Sequence, residues 1–258
     1  MTWRYVDGYA VGTAHVGSQT PCQDRCTCTV IRSNDGGEVF VTIVSDGAGS
    51  AEFSEFGAQT VCDVLNELVA ACVQESSDLD EIPDDLVRAW LLEVRERLRA
   101  TARARESDLR EYAATALLAI VGERQALCAQ LGDGGIVFRR TPDDPFELAL
   151  WPVGGEYANQ TYFITDSTAA ERIEIRRYDH IHDVIAFSDG LQNLALLQAT
   201  RSPFAPFFEP LVRTVRGDGS ANGDVHEALV AYLNSPAINR RTDDDKSLAI
   251  GCRMADDG

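Results

Sequence analysis

The sequence predicts an α+β fold in which two stacked antiparallel β-sheets carry helices on their outer sides, in one domain spanning residues 1–258. The order of predicted elements is the first reason: strands, two long helices, a run of strands, then helices and a final strand. This order differs from the regular alternation of a parallel α/β protein. The second reason is size, because 258 residues with 45% apolar content can bury a full core.

The N-terminal half begins with predicted strands at 5–15 and 25–32. A continuous apolar, β-branched run at 39–44 indicates a buried strand. A first helix is predicted from Phe53 to Cys72, where apolar residues recur at helical spacing, and Pro83 suits the first turn of a second helix. The buried stripe of this second helix repeats every four residues: Leu86, Trp90, Val94 and Leu98.

The C-terminal half returns to strands and ends with shorter helices and one last strand. Strands are predicted at 115–121, 125–131, 135–140, 146–151, 172–177, 183–187 and 247–252, and helices at about 191–199, 207–215 and 224–234. A long connection at about 152–170 separates two of the strands. Such a connection is either an ordinary surface loop or a functional one beside a site.

Charge and cysteine usage restrict the class of partner. The formal net charge of −18 argues against nucleic-acid and anionic-membrane partners. The N-terminus has neither the basic start nor the apolar stretch of a signal peptide, so we expect a cytoplasmic location. The seven cysteines lack framework spacing and are expected to be reduced thiols, although Cys22, Cys26 and Cys28 near His15 leave a zinc site as a minor alternative.

The candidate chemistry lies in aspartates at strand ends. Three apolar strands each run into an Asp-Gly pair, at Asp46, Asp133 and Asp189, and the triplet 243–245 directly precedes the last strand. One Asp-Gly pair is more often a turn than a ligand. If the last strand runs antiparallel to the others, however, all four acidic corners meet at one edge. Clustered carboxylates repel one another, and Mg²⁺ or Mn²⁺ are their natural partners.

These residues also match the motifs of a known family in the family's order. The motifs are Gly12-Thr-Ala-His15 with Pro21-Cys-Gln-Asp24, Ser45-Asp-Gly-Ala-Gly-Ser50 with Ser54-Glu-Phe-Gly57, Ala114-Thr-Ala116, Leu131-Gly-Asp-Gly134, Phe187-Ser-Asp-Gly190 and Asp244-Asp-Lys-Ser-Leu248. The chain thereby resembles the metal-dependent protein phosphatases of type 2C, most closely a bacterial branch. The resemblance implies a four-layer αββα sandwich, with a flap over the substrate cleft at about 152–170.

The resemblance also implies a ligand set for two divalent cations, Mn²⁺ or Mg²⁺. The implied metal-ligating residues are Asp24, Asp46, the Gly47 carbonyl, Asp133, Asp189 and Asp244. Asp46 would bridge the two ions, and Asp133 would hold a possible third ion. Asp24, Asp46 and Asp189 would serve catalysis, which the resemblance implies to be hydrolysis of a phosphate ester by a bridging water between the ions.

The sequence departs from the family's pattern at three places. Gln23 stands where the family commonly has a glutamate, Ala48 stands where some members have a histidine, and the usual phosphate-binding arginine is missing. His15 or Arg25 is the candidate replacement for that arginine.

Three functions therefore remain open at the level of sequence. The first is an active serine/threonine phosphoprotein phosphatase whose partners are a cognate Ser/Thr kinase or that kinase's targets. The second is a weak or inactive relative that binds phosphoproteins as a regulatory module. The third is a phosphatase for small-molecule phosphates. The retained aspartates favour the first.

Overall fold

The structure consists of two stacked antiparallel sheets, as seen in a computed structural model that describes residues 2–34, 36–75, 79–151, 161–217 and 222–254. The strands are β1 (Thr2–Ala10), β2 (Arg25–Arg32), β3 (Glu38–Ser45), β4 (Ala116–Val121), β5 (Gln125–Leu131), β6 (Gly135–Arg139), β7 (Glu147–Leu150), β8 (Glu174–Asp179), β9 (Asp183–Phe187), β10 (Leu196–Leu197), β11 (Ser202–Pro203) and β12 (Lys246–Met254). The helices are α1 (Thr13–Val16), α2 (Ser54–Glu75), α3 (Asp84–Ala104), α4 (Ala169–Arg172), α5 (Gln192–Ala195), α6 (Ala205–Arg216), α7 (Asn222–Leu233) and α8 (Pro236–Asn239).

The strand order explains how the chain ends come together. One sheet has the order β1-β12-β9-β6-β7 and the other β2-β3-β4-β5-β8, and β10 pairs with β11 in a small separate ribbon. Every pairing is antiparallel. The first and last strands are neighbours, because β1 forms one edge of the first sheet and pairs there with β12. The predicted α+β class is confirmed.

Three apolar layers hold the four structural layers together. Between the sheets, aromatic side chains such as Phe40 and Phe138 are fully buried, and Trp3 stacks on Phe40 at 4.8 Å between ring centroids. Helices α2 and α3 cover the outer face of the sheet that contains β2, β3, β4, β5 and β8. Helices α6 and α7 cover the outer face of the sheet that contains β1 and β12. This is the αββα arrangement that the resemblance implied.

Helix α2 illustrates why sequence apolarity alone is ambiguous. By length and composition it is apolar enough to cross a membrane, with a mean hydropathy of 1.2. Its apolar residues at helical spacing, among them Val61, Leu65 and Val69, are buried in one cluster with side chains of β3 and α3. In this fold α2 is therefore a core helix of the sandwich.

Three predicted elements differ from the structure. The strand predicted at 172–177 is β8 at Glu174–Asp179, because residues 169–172 form the turn α4. The strand predicted at 5–15 ends at Ala10, and residues 13–16 form one helical turn, in which the Ala14 N–H donates to the Asp243 carbonyl at 2.9 Å. The helix predicted at 191–199 is only the turn α5, because the following residues pair with β11. Of the predicted flap, 161–170 is described and contributes to the cleft, whereas 152–160 lies outside the described residues.

Candidate metal centre

The acidic corners meet where β9 ends and β12 begins. The two strands are antiparallel, with Phe187 opposite Leu248, so Asp189 and Asp244 lie at the same edge of the sheet. A glycine is required after Asp189, because the backbone there passes very close to the backbone of Asp245. A Cβ on Gly190 would lie 2.0 Å from the carbonyl oxygen of Asp245, a contact that real side chains cannot make.

Asp46 reaches the same edge from the other sheet, directly after β3. Its N–H donates to Thr115 Oγ1 at 2.9 Å, and its carbonyl accepts the Thr115 N–H at 2.8 Å. The Ser45 hydroxyl adds a bond to the Thr115 carbonyl at 2.6 Å. A Cβ on Gly47 would lie 2.8 Å from the carbonyl oxygens of Gln23 and Ser54, so only glycine fits after Asp46.

Asp133 lies in the turn between β5 and β6 and completes the group. Its Oδ2 accepts the hydroxyl of Thr161 at 2.7 Å. One carboxylate oxygen from each of Asp46, Asp133 and Asp189 lies within 4.8 Å of the others. Across the described ranges of the chain, this is the one group of three or more ligand side chains close enough to share an ion, and it contains no cysteine. The zinc alternative therefore gains no support.

Asp24 lies deeper than the other aspartates. It is 1% exposed, and its Oδ2 has no hydrogen-bond partner within the described part of the chain. Burial raises the pKa of Asp24 to about 7, an effect that the Ser188 hydroxyl opposes and that the nearby Asp245 and Asp189 charges reinforce. A buried carboxylate with one oxygen left without a partner is unfavourable unless a cation compensates its charge.

The other aspartates show the same electrostatic conflict. Burial raises the pKa of Asp189 to about 6, with the charges of Asp133 and Asp244 adding to the rise. Burial and the neighbouring charges of Asp24 and Asp189 raise the pKa of Asp46 well above its usual value. Partial desolvation also raises the pKa of Asp244, although this residue is more exposed than the other aspartates. The site is arranged to be fully ionised only when positive charge is supplied from outside the chain.

These groups surround an open cleft of about 240 Å³. The described lining residues are His15, Gln23, Asp46, Gly47, Ala48, Gly49, Ser50, Asp133, Thr161, Phe163, Asp189, Asp244 and Asp245. Neither lysine nor arginine occurs among them. A cleft lined by carboxylate oxygens, with neither lysine nor arginine in its described lining, fits Mg²⁺ or Mn²⁺.

Asp245 has a structural role that the sequence alone does not indicate. It is 3% exposed, and its two oxygens accept the N–H groups of Gly12 and Gln23, each at 2.6 Å. Oδ1 also lies 3.0 Å from His15 Nδ1. Asp245 thus closes the loop that carries Asp24 onto the start of β12. The acidic triplet is visible in the sequence, but this division of roles within it depends on tertiary contacts.

The two candidate phosphate contacts are in different places. The imidazole of His15 lines the cleft beside Asp245. Arg25 is outside the described lining of the cleft, and its guanidinium pairs with Glu55 at 2.6 Å and lies over the Tyr9 ring at 4.8 Å. It also donates to the carbonyls of Cys22 and Asp24, each at 2.7 Å. Arg25 therefore stabilises the loop that carries Asp24 from outside the cleft, whereas His15 faces into the cleft.

Comparison with known proteins identifies the family of the chain. The sequence model of the family "Protein phosphatase 2C" matches residues 11–234. The chain is similar to serine/threonine-protein phosphatase 3 of Escherichia coli (strain K12), with 39% identity over 254 residues covering 97% of this chain and 98% of that protein.

Solved structures are similar over nearly the whole chain. The PppA protein of Pseudomonas aeruginosa, described as a key regulatory component of T6SS, has a TM-score of 0.63 at 19% identity and 98% coverage of both chains. The S. agalactiae serine/threonine phosphatase has a TM-score of 0.62 at 16% identity, covering 98% of this chain and all of its own. At these identities the structural likeness supports the fold alone.

Proposed function

The chain belongs to the protein phosphatase 2C family and is a serine/threonine phosphatase, and we propose that it removes phosphate from proteins with the help of two Mn²⁺ or Mg²⁺ ions. The observation that carries the metal dependence is the trio Asp46, Asp133 and Asp189, whose oxygens converge within 4.8 Å in a cleft without a lysine or arginine in its described lining.

The residues present fit a pair of divalent cations. Asp46 reaches the cluster from one sheet, while Asp189 and Asp244 reach it from the other, so together they would hold the ions across the sandwich edge. Asp133 would hold a third ion, and Gly47 and Asp24 would complete the set. When bound, the ions lower the pKa of a water molecule and neutralise charge on the phosphoryl oxygens.

We propose that His15 orients the substrate phosphate. Its Nδ1 is fixed by Asp245, so the ring is held and its Nε2 remains available to a phosphate oxygen. Gln23 lines the same cleft, and its buried Oε1 has no hydrogen-bond partner within the described residues. A neutral amide oxygen can accept a hydrogen bond from water at the site where a glutamate would add charge.

The proposed substrates are proteins phosphorylated on serine or threonine. A Ser/Thr kinase, or the targets of such a kinase, would be the natural partner because it supplies the phosphoryl groups that this site removes. The alternative of an inactive regulatory module gains no support, since all the aspartates implied in the ligand set are present and those at Asp46, Asp133, Asp189 and Asp244 share one cleft.

The experiment is hydrolysis of phosphoserine and phosphothreonine peptides by the purified protein. Mn²⁺ should be required, and a chelator should abolish the activity reversibly. Asp46→Asn and Asp189→Asn should each remove it, whereas Asp243→Asn, an exposed neighbour of the site, should retain it. Full activity of Asp46→Asn, or activity in the presence of chelator, would contradict the proposal. A preference for small phosphate esters over every phosphopeptide would favour a metabolite phosphatase instead.

A further inference from the structure

A second cavity lies beside the cleft, at the open edge of the two sheets where β7 and β8 are the outermost strands. Its volume is about 240 Å³. Gln130 and Glu174 are register partners on β5 and β8, so both side chains project to the same side of the sheet. The lining residues that matter here are Gln130, Trp151, Tyr162, Glu171, Arg172 and Glu174.

Gln130 provides an acceptor that lacks a donor. The residue is 5% exposed, and its Nε2 donates to the carbonyl oxygen of Gly132 at 3.2 Å. This fixes the orientation of the amide, and the opposite atom, Oε1, has no hydrogen-bond partner in the described part of the chain. Buried polar atoms are normally paired. A ligand that donates hydrogen bonds would satisfy this atom.

The charges around the cavity favour a cation. Arg172 is already engaged, since its guanidinium donates to the Tyr162 hydroxyl at 2.7 Å and lies 4.5 Å from the centroid of that ring. Glu174 lies 3.7 Å from Arg176, whose side chain is 59% exposed, and such a pair is weak. Glu171 forms no ion pair with another described residue. Arg172 keeps its positive charge, because the Tyr162 hydroxyl and ring are neutral. Two carboxylates and the Gln130 amide oxygen therefore face a single guanidinium in the described lining, which leaves acceptors for a second positive group.

The cavity also has an aromatic wall. Trp151 lines it, and Arg201 lies 4.7 Å from the centroid of the Trp151 ring. Arg201 is not among the described lining residues, so this guanidinium lies outside the cavity and shows that the ring accepts one. An indole face is the best of the aromatic surfaces for a cation, and it also suits the apolar stem of a long basic side chain.

Only a thin wall separates the cavity from the catalytic cleft. Gly132 and Tyr162 line the cavity, while their chain neighbours Asp133 and Thr161 line the cleft. The Thr161 hydroxyl joins the two segments by its bond to Asp133. An extended peptide advances about 3.3 Å per residue, so a few residues of substrate would span this wall.

We propose that this cavity binds the guanidinium or ammonium group of an arginine or lysine side chain that lies a few residues from the phosphorylated serine or threonine. The inference rests on the proposed function, because it names a substrate feature of the same enzyme. Arginine suits the cavity particularly well, since its planar fork can donate to Gln130 and to a carboxylate together. The net charge of −18 would also attract a basic substrate segment.

The test compares two phosphopeptide series that differ in one residue. Each peptide has one test residue, placed two, three or four residues from the phosphoserine. The test residue is arginine in one series and norleucine in the other. For the best position we expect the arginine peptide to have a KM roughly tenfold lower, equivalent to about 1.4 kcal/mol, with kcat unchanged. The double variant Glu171→Gln/Glu174→Gln should lose this preference while hydrolysing the norleucine peptide as the wild type does.

A matched control separates the cavity from overall charge. The double variant Glu93→Gln/Glu96→Gln makes the same charge change on α3 and should keep the preference for arginine. Gln130→Leu should weaken the preference too, but it changes a buried residue. The exposed glutamates therefore carry the test whether or not the Gln130 variant folds.

Binding without catalysis distinguishes this inference from the proposed function. Fluorescence anisotropy with labelled, unphosphorylated peptides in chelator should show tighter binding of the arginine peptide to wild type than to Glu171→Gln/Glu174→Gln. That result would stand even if the protein hydrolysed no phosphopeptide. Equal KM and equal affinity for the two series would overturn the inference. Ethylguanidine binding as tightly as the arginine peptide would also overturn it, because the cavity would then be a site for free small cations.

Discussion

Asp46 and Thr115 are joined by two hydrogen bonds, one from the Asp46 N–H to the Thr115 hydroxyl at 2.9 Å and one from the Thr115 N–H to the Asp46 carbonyl at 2.8 Å. Thr115 lies just before β4 and is 1% exposed. The central carboxylate of the cluster is thus positioned by a buried hydroxyl on the neighbouring segment.

Thr115→Val should therefore weaken the site while preserving side-chain volume. The Asp46 N–H loses its acceptor, which we expect to cost about 1 kcal/mol in the free energy of unfolding. Activity should fall more than stability, because a shift of about 1 Å in a catalytic group can cost about 100-fold in rate. Urea unfolding and Mn²⁺-dependent hydrolysis measure the two effects. Thr115→Ser keeps the hydroxyl and should retain activity, with a stability loss only from the deleted buried methyl group. Equal losses of activity in both variants would contradict the role of the hydroxyl.

Asp245→Ala should open the loop that carries Asp24. It removes the acceptor for the Gly12 and Gln23 N–H groups and the partner of His15. We expect a loss of roughly 2–3 kcal/mol in the free energy of unfolding, since charge-assisted hydrogen bonds are lost and buried donors remain. Mn²⁺ affinity should decrease as well, because Asp24 is no longer held beneath the cluster.

The matched control for this change is Asp243→Ala. Asp243 is exposed, and its contact with Ala14 is made by its backbone carbonyl, which the substitution retains. Its stability and Mn²⁺ affinity should remain those of the wild type. Identical behaviour of the two alanine variants would show that Asp245 does not hold the loop.

Without metal, the stability of the protein should decrease as the pH rises. The folded pKa values of Asp24, about 7, and Asp189, about 6, lie above the value of about 3.9 for an unfolded aspartate. Between about pH 4 and 7 the folded state therefore binds more protons than the unfolded state. Its free energy of unfolding falls across that window as the pH rises.

Thermal unfolding in chelator from pH 5 to pH 8 measures this trend. Asp24→Asn removes one of the raised carboxyl groups and should flatten the decline in Tm. Saturating Mn²⁺ should reverse the trend, because the ions bind deprotonated carboxylates and favour the folded state more at higher pH. A Tm that rises with pH in chelator would contradict the electrostatic description of the site.

Much of the fold could be predicted because local pattern and tertiary structure agree. The limits of β2, β5 and β9 are those expected from the alternation and apolar runs of the sequence. The convergence of Asp189 and Asp244 also followed from one assumption, that the last strand is antiparallel, and β12 and β9 confirm it. Functional residues at the end of a strand can therefore be predicted from sequence when the strand itself has an unambiguous pattern.

The remaining features depend on contacts between distant segments. The turn α1 has a strand-like sequence, but Gly12 packs so closely on Asp243 and Asp244 that a Cβ would lie 2.4 Å from their backbone atoms. The role of Asp245 is likewise set by Gly12 and Gln23, more than 200 positions away in the chain. No local pattern reports such a pairing. The same is true of Arg25, whose position below Asp24 is set by Glu55 on α2.

The most direct test of the account is a calorimetric titration of the metal-free protein with Mn²⁺ at neutral pH, compared with Asp46→Asn and with Asp243→Asn as the control. Two ions per chain should bind to wild type and to Asp243→Asn, with a weaker third at Asp133, and proton release should accompany binding. Asp46→Asn should lose the tight pair. Binding of Mn²⁺ by Asp46→Asn with unchanged stoichiometry and affinity would contradict the assignment of this aspartate cluster as the metal centre.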